Sequence, residues 1–469
     1  MSIPNAPGAK GDLVQGFKPR HVTMLSIAGI IGAGLFVGSG HAIAAAGPGA
    51  IIAYALSGLL VVLVMRMLGE MAVANPDTGS FSAYADQAIG RWAGFTIGWL
   101  YWWFWVLVIP IEAIAAGEIF HSWFPQVQVW TFALVMTLLL TITNLFSVAK
   151  YGEFEFWFAM LKVTAIVLFI TLGAMALFGV LPQHPVSGLP TLLREHGGFL
   201  PNGWSAIFTA LITTLFSFIG TEAVTIAAAE SDDPSRNIAK ATRSVIWRIS
   251  VFYLLSIMVI ISVVPWNDPQ LTASGSYQRA LELMNVPHAK LMMDIVVLVA
   301  VASCLNSSIY IASRMIYSLS RRADAPAFIQ RTSATGVPRA AVIASTVIGM
   351  LTTLLNFFAP ARIFDFLLAS SGSIALLVYL AIAISQLRMR ATLERRDQAL
   401  ACRMWLFPWL TWAVILFISG VLVTMFIMPS HRIEVSSTLL LTAAIILLSR
   451  TSRRPNGPLR SLDPLRSAG

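Results

Sequence analysis

Apolar runs of about 20 residues, each long enough to span a bilayer, recur along almost the whole chain, and nothing else in it constrains the fold so strongly. They fall near 21–46, 50–72, 93–119, 128–148, 154–180, 205–229, 243–265, 288–319, 339–358, 363–387, 403–428 and 433–450. A backbone in hydrocarbon must satisfy its own N–H and C=O groups, so such runs become helices. Composition agrees, because 57% of the residues are hydrophobic and only 11% are charged, where soluble domains carry roughly 25% charged residues. The expected class is an all-α integral membrane protein with twelve transmembrane helices.

The formal net charge is +9, which would suit a nucleic-acid surface if the cations clustered. They do not. With the N-terminus placed in the cytoplasm, 25 of the 31 Lys and Arg fall in the tails or in inner loops and their flanks. Five fall outside or at outer flanks, namely Arg194, Arg279, Lys290, Arg362 and Arg432, and Lys162 alone lies deep within a span. That asymmetry predicts a multi-pass membrane protein with both termini cytoplasmic, and it calls for no nucleic-acid partner. The first twenty residues are polar, and the first apolar run is long and lacks a small-residue cleavage site. It is expected to stay as a helix and not to be removed as a signal peptide. Cys304 falls inside a span and Cys402 in an inner loop, so no disulfide is expected between them.

Two of the apolar runs are interrupted. Ile30-Ile31-Gly32-Ala33-Gly34-Leu35-Phe36 breaks the first, and Phe216-Ser217-Phe218-Ile219-Gly220-Thr221-Glu222 breaks the sixth. The glycines at 29, 32, 34, 38 and 40 would also serve close helix packing. The second break has fewer small residues and an acid beside it, which favours a ligand site held by half-helix ends. The amides of Ala33, Gly34 and Leu35 are then expected to face an anion, and the carbonyls of Ile30, Phe216 and Ile219 a cation. A small zwitterion fits such a pair of ends. The breaks stand five spans apart, an odd number, so equivalent helices cross in opposite directions. This predicts a 5+5 inverted repeat with discontinuous helices 1 and 6 and two appended helices.

Intramembrane ionisable groups are costly and mark a pathway or a pair. Lys162 lies about 14 Å into its span at 1.5 Å per residue, too deep for snorkelling alone. It is either a static strut paired with a buried acid or a proton carrier, since low dielectric disfavours a charged form. Glu112 and Glu222 are the other such groups of note. Glu222 follows the second break, and attraction for a substrate ammonium, gating, proton relay and capping of the broken backbone all stay open for it. Asn306, Ser307 and Ser308 offer oxygens to Lys162 or to a cation. Glu70 and Glu230, near inner helix ends, are expected to contact loop arginines. The aromatic run Trp99 to Trp105 is expected to serve interfacial anchoring and core packing, whereas Phe216 stands where it would cap a ligand. Gly32-Ala33-Gly34 is not a dinucleotide fingerprint. The histidines have no metal-ligand spacing and no nucleophile–base pair stands out, so neither an enzyme nor a metal or other cofactor is expected.

With these segments in hand, the chain resembles the amino acid–polyamine–organocation superfamily of secondary transporters, and within it the bacterial 4-aminobutyrate (GABA) permeases. The likeness is carried by Arg91-Trp92-Ala93-Gly94 through Trp105-Val106-Leu107-Val108-Ile109-Pro110, by Tyr151-Gly152-Glu153-Phe154-Glu155-Phe156-Trp157, by Thr225-Ile226-Ala227-Ala228-Ala229-Glu230-Ser231 and by Ser303-Cys304-Leu305-Asn306-Ser307. The resemblance implies proton-coupled uptake of a small amino acid, with the proton as coupling ion. It sets Ile30, Ala33 and Gly34 where members use helix 1 backbone, Phe216 and Ile219 where helix 6 carbonyls hold an amino group, and Glu222 at the superfamily's helix 6 acid, in a protein of the bacterial inner membrane. It also sets Lys162 where some proton-coupled members place a lysine in the position of a sodium ion. Joined to the reading of the breaks and buried polar groups, the candidate substrate set is Ile30, Gly32, Ala33, Gly34, Leu35, Phe216, Ile219, Gly220 and Thr221, and the proton-coupling or gating set is Lys162, Glu222, Glu112, Asn306 and Ser307. Gly34 departs from those permeases, which often carry serine there, so a hydroxyl contact to carboxylate would be missing. Similar permeases carry aromatic amino acids, proline, lysine or histidine, and a non-transporting amino-acid sensor is a further alternative.

The expected layout is a cytoplasmic tail (1–20), a first repeat (21–180), an extracytoplasmic loop (181–204), a second repeat (205–387), an inner loop (388–402), two further helices (403–450) and a cytoplasmic tail (451–469) that reads as disordered.

Overall fold

The computed structural model describes residues 31–77, 79–146, 148–180, 197–218, 220–229, 233–273, 275–333, 336–355, 360–395, 402–429 and 431–451. Every regular element among them is helical. The first half holds α1 (Ala33–Phe36), α2 (Gly38–Ala46), α3 (Ala50–Ala74), α4 (Ser80–Ala88), α5 (Arg91–Trp123), α6 (Val129–Asn144) and α7 (Val148–Leu177). The second holds α8 (Gly203–Phe216), α9 (Ala223–Ala229), α10 (Pro234–Arg248), α11 (Ser256–Val263), α12 (Gln270–Ala273), α13 (Ser276–Leu283), α14 (Ala289–Arg321), α15 (Arg339–Leu355) and α16 (Pro360–Arg395). Two more, α17 (Trp409–Ile427) and α18 (Arg432–Thr451), complete the chain. A π-helical stretch, Ile249–Leu255, joins α10 to α11.

Seven described stretches are long and apolar enough to cross a membrane: Ala33–Ala74, Arg91–Trp123, Gly152–Leu177, Lys290–Arg321, Ala369–Ala391, Trp409–Ile427 and Arg432–Arg450. Val129–Asn144, Gly203–Phe216, Val251–Val263 and Arg339–Leu354 are apolar but shorter. Each overlaps an apolar run of the sequence, and Ala33–Ala74 covers two of those runs around the Gly47–Gly49 turn. The protein is therefore a multi-pass membrane protein, with seven described stretches long and apolar enough to cross, where twelve spans were expected.

Burial sorts the helices into an inner and an outer set. The apolar windows of α5 and α14 are 78% and 72% buried, whereas those of α7, α17 and α18 are 28%, 28% and 22% buried. The outer helices turn large apolar side chains such as Trp157, Leu168 and Leu416 outward, the pattern of a lipid-facing surface. Within the spans, hydroxyls return to the backbone one turn earlier, as Thr137 does to the Ala133 carbonyl at 2.8 Å and Thr353 to that of Gly349 at 2.9 Å. That satisfies them without water.

The expected contact of Glu70 with an arginine is present. Glu70 is fully buried and accepts from Arg390 Nη1 at 2.6 Å, Gln386 Nε2 at 3.0 Å and the Met404 amide at 2.7 Å. It thereby ties α3 to α16 and to the segment leading into α17. Removing one partner of such a buried pair typically costs about 3–5 kcal/mol. Glu230 lies outside the described residues, as do the first and last tails. Asp233 caps α10, with Pro234 at its first helical position and Oδ1 accepting the Arg236 amide at 3.2 Å.

Candidate functional site: two interrupted helices around a buried ion network

The first break has a definite hydrogen-bond pattern. Gly32 adopts φ −144 and ψ −147, outside the helical region, and α1 is a single turn. The amides of Leu35 and Phe36 both turn to the Gly32 carbonyl, at 3.2 and 3.3 Å. The Ile31 carbonyl thus loses the amide that a continuous helix would give it. Lys162 Nζ donates to that carbonyl at 3.1 Å. The Ala33 amide donates to Glu112, at 3.2 Å to Oε1 and 3.0 Å to Oε2. In this state the carboxylate on the Ala33 amide is the protein's own, and the Leu35 amide is folded back on Gly32. Ile30 lies outside the described residues.

The second break is built around Glu222. Helix α8 ends at Phe216, and the amides of Ser217 and Phe218 close tight turns onto Thr214 and Leu215 at 3.1 and 3.0 Å. Gly220 sits at φ +97, a conformation that a Cβ would strain. Its amide meets both Glu222 carboxylate oxygens at 3.2 Å, and α9 resumes at Ala223. Tyr101 and Tyr379 donate their hydroxyls to the same carboxylate at 3.1 and 3.2 Å. Of the four roles left open for Glu222, the geometry displays capping of the broken backbone. Thr221 returns its hydroxyl to the Phe218 carbonyl at 2.6 Å, and Ile219 lies outside the described residues.

The two breaks touch each other. Ser217 Oγ donates to the Gly34 carbonyl at 2.5 Å, and Tyr253 donates to the Ser217 carbonyl at 2.8 Å. A Cβ on Gly34 would stand 2.8 Å from Ser217 Cα and 3.0 Å from Phe216 Cδ1, so glycine is what lets the half-helices meet in this state. Beside them lies a hollow of about 10 Å³ lined by Gly34, Phe104, Trp105, Val108, Glu112, Phe216 and Cys304. It has room for about one water, too little for an amino acid. Phe216 borders it as expected. The aromatic run of α5 is mostly core packing, but Phe104 and Trp105 also line the hollow.

Lys162 is fully buried and also donates to Ser303 Oγ at 2.8 Å. Ser303 in turn donates to Glu155 Oε2 at 2.7 Å, and Asn306 Nδ2 approaches Glu155 Oε1 at 3.4 Å. The Asn306 amide oxygen accepts from Asn144 at 2.7 Å and Thr143 at 3.0 Å. Asn306 therefore faces Glu155, not Lys162, and Ser303, one turn before Ser307, is what meets the lysine. Ser307 is buried on the same helix, and Ser308 bonds back to the Cys304 carbonyl at 2.7 Å. Glu155, fully buried, was missed from the sequence. Its signal was available, since it precedes Lys162 by two helical turns and shares its face. Tyr101 and Tyr379 were also missed, and no local pattern marks them. No group of three or more metal-ligating side chains occurs among the described residues.

Access differs between the two faces. On the face expected to be extracytoplasmic, a cavity of about 500 Å³ reaches down to Phe36 and Val37, with Glu118, Asp294, His41 and Lys290 on its walls. On the other face Asp324 is enclosed between Arg91 at 3.7 Å and Arg322 at 3.9 Å. Arg322 also donates to Ser82 at 2.7 Å, and Ser80 of α4 pairs with Thr225 of α9 at 2.7 Å.

This geometry can be set beside known proteins. The amino acid permease family matches residues 21–450. A protein of Pseudomonas aeruginosa named probable GABA permease is 66% identical over 96% of this chain and 95% of its own length. A gamma-aminobutyric acid permease of Escherichia coli K12 is 60% identical over 93% of each chain. An aromatic amino acid transport protein of Corynebacterium glutamicum is 40% identical over 95% of this chain and 96% of its own. Among solved structures, the manganese transporter of Eremococcus coleocola aligns over 93% of this chain and 92% of its own, with TM-score 0.53 and 14% identity, a likeness of fold alone. The chain belongs to the amino acid permease family, whose members are membrane transporters and not enzymes.

Proposed function

We propose that this permease carries 4-aminobutyrate, or a similar small zwitterionic amino acid, across a bacterial inner membrane together with a proton. The observation that carries the reading is the meeting of two interrupted helices beside one buried lysine and two buried carboxylates. The choice of 4-aminobutyrate among amino acids follows the names of the relatives at 66% and 60% identity. In this reading twelve helices cross the bilayer as a 5+5 inverted repeat (21–180 and 205–387), with residues 403–450 forming the two appended helices. Both termini are cytoplasmic, as the charge asymmetry supports.

Substrate enters through the cavity above Phe36. Its carboxylate competes with Glu112 for the Ala33 amide, with Gly34 and Leu35 beside it. Its ammonium takes the carbonyl ends at Ile30, Phe216 and Ile219. Gly32, Gly220 and Thr221 give the breaks their shape, and Glu222 holds the second one. Lys162 is the coupling group: charged, it grips the Ile31 carbonyl, and loss of its proton weakens that charge-assisted bond and frees the first turn to shift. Ser303 and Glu155 lead the proton away, with Asn306 and Ser307 flanking that route. One proton moving down 100 mV supplies about 2.3 kcal/mol, and one pH unit adds about 1.36 kcal/mol. Together these support roughly 10²–10³-fold accumulation of a net-neutral solute.

Competition in proteoliposomes under an inward proton gradient tests the substrate. Excess unlabelled 4-aminobutyrate is expected to abolish labelled 4-aminobutyrate uptake, while phenylalanine, proline, lysine and histidine leave most of it. Absence of 4-aminobutyrate uptake, with uptake of one of the others, would reassign the substrate.

A further inference from the structure

Helix α10 carries Arg236, Lys240 and Arg243 at spacings of four and three residues, which place them on one helix face. The three side chains are exposed, and together with Val73, Ser235 and Ala239 they line a cavity of about 500 Å³. Ser235 Oγ donates to the Val73 carbonyl at 3.0 Å and closes the edge of this hollow against α3. No ion pair joins any of the three cations to a described acid. Asp233, the nearest acid in sequence among the described residues, is engaged with the Arg236 amide as the helix cap. The chain then continues into the lipid-facing surface: Trp247 is 74% exposed, and Leu255 and Met258 are exposed further along the same helical run. A largely apolar hollow edged by three cations, at one end of an apolar strip, matches a molecule with an anionic head and apolar tails.

We infer that this hollow binds the headgroup of an anionic phospholipid in the cytoplasmic leaflet, its phosphodiester held by Arg236, Lys240 and Arg243 and its chains lying along Trp247, Leu255 and Met258. The inference rests on the cytoplasmic placement of this face proposed above. Juxtamembrane cations of this kind attract anionic lipid, and guanidinium and ammonium groups both donate to phosphate oxygens. The site bears on transport because α10 packs on α9, the second half of the interrupted helix. A bound headgroup anchors the base from which that half-helix moves.

Native mass spectrometry of the purified protein titrated with phosphatidylglycerol, with phosphatidylcholine as the neutral control, tests the site without any substrate. Its failure is therefore distinguishable from failure of the 4-aminobutyrate reading. Each basic side chain near an anionic surface contributes roughly fivefold in affinity. The combined variant Arg236→Gln, Lys240→Gln, Arg243→Gln is thus expected to retain phosphatidylglycerol about a hundredfold more weakly, with phosphatidylcholine retention unchanged. The single variant Arg243→Gln, less demanding on folding, is expected to lose roughly fivefold. Equal retention of phosphatidylglycerol by the wild type and both variants overturns the proposal. So does displacement of the lipid by inorganic phosphate at equal concentration, which would mark a small-anion site with no part for the chains.

Discussion

Lys162→Ala is expected to abolish proton-driven accumulation while leaving measurable binding of 4-aminobutyrate. In the structure the lysine makes no contribution to the small hollow's lining and sits behind it, bonded to Ile31 and Ser303. Its removal therefore takes away the coupling group without taking away the helix-end amides that are proposed to hold the carboxylate. The expected size of the effect is the whole gradient-driven gain, roughly 10²–10³-fold. Uptake into proteoliposomes with and without an inward pH gradient measures it, alongside equilibrium binding. Accumulation by the variant at the wild-type level would leave Lys162 as the static strut that the sequence also allowed. Truncating a buried partner of Glu155 is expected to lower thermal stability as well, so binding must be shown before loss of transport is assigned to coupling.

Glu222→Ala is expected to do damage of another kind, to binding and transport together. Four hydrogen bonds converge on that carboxylate, two from the Gly220 amide and one each from Tyr101 and Tyr379. Without it three buried donors lose their acceptor, at about 1–3 kcal/mol each, and the second break loses the group that holds its shape. Binding of 4-aminobutyrate is expected to fall by at least roughly 100-fold, and the melting temperature is expected to drop. Glu222→Gln keeps an acceptor oxygen and should lie between the wild type and the alanine variant on both measures. An alanine variant with unchanged binding and melting temperature would remove Glu222 from the site's architecture.

What the sequence made legible was what local physics dictates. Glycines and an acid inside apolar runs have no comfortable place in an unbroken membrane helix, so the breaks near Gly32 and Gly220 could be placed to within a residue or two. The depth of Lys162 and the inner-end position of Glu70 were legible for the same reason. Partners brought from elsewhere in the chain were not. Glu222 meets Tyr101 from α5 and Tyr379 from α16, and the Ala33 amide meets Glu112 from α5, pairings that depend on how the helices pack. Asn306 was placed near Lys162 but turns to Glu155, because Ser303 on the same helix lies one turn closer to the lysine. Glu155 escaped notice because an acid near the start of an apolar run looks interfacial, although its two-turn spacing to Lys162 was there to be used. The crossing count shows the same limit, since hydropathy marks runs while α6, α8, α11 and α15 are shorter helices than their runs suggested.

An experimental density map of the protein in lipid with 4-aminobutyrate bound tests the central claim most directly. The expected result is ligand density between the Gly32–Leu35 and Phe216–Thr221 segments, with Glu112 withdrawn from the Ala33 amide and the hollow enlarged to hold the ligand. Continuous helices through Gly32 and Gly220, or a ligand bound away from both segments, would contradict it.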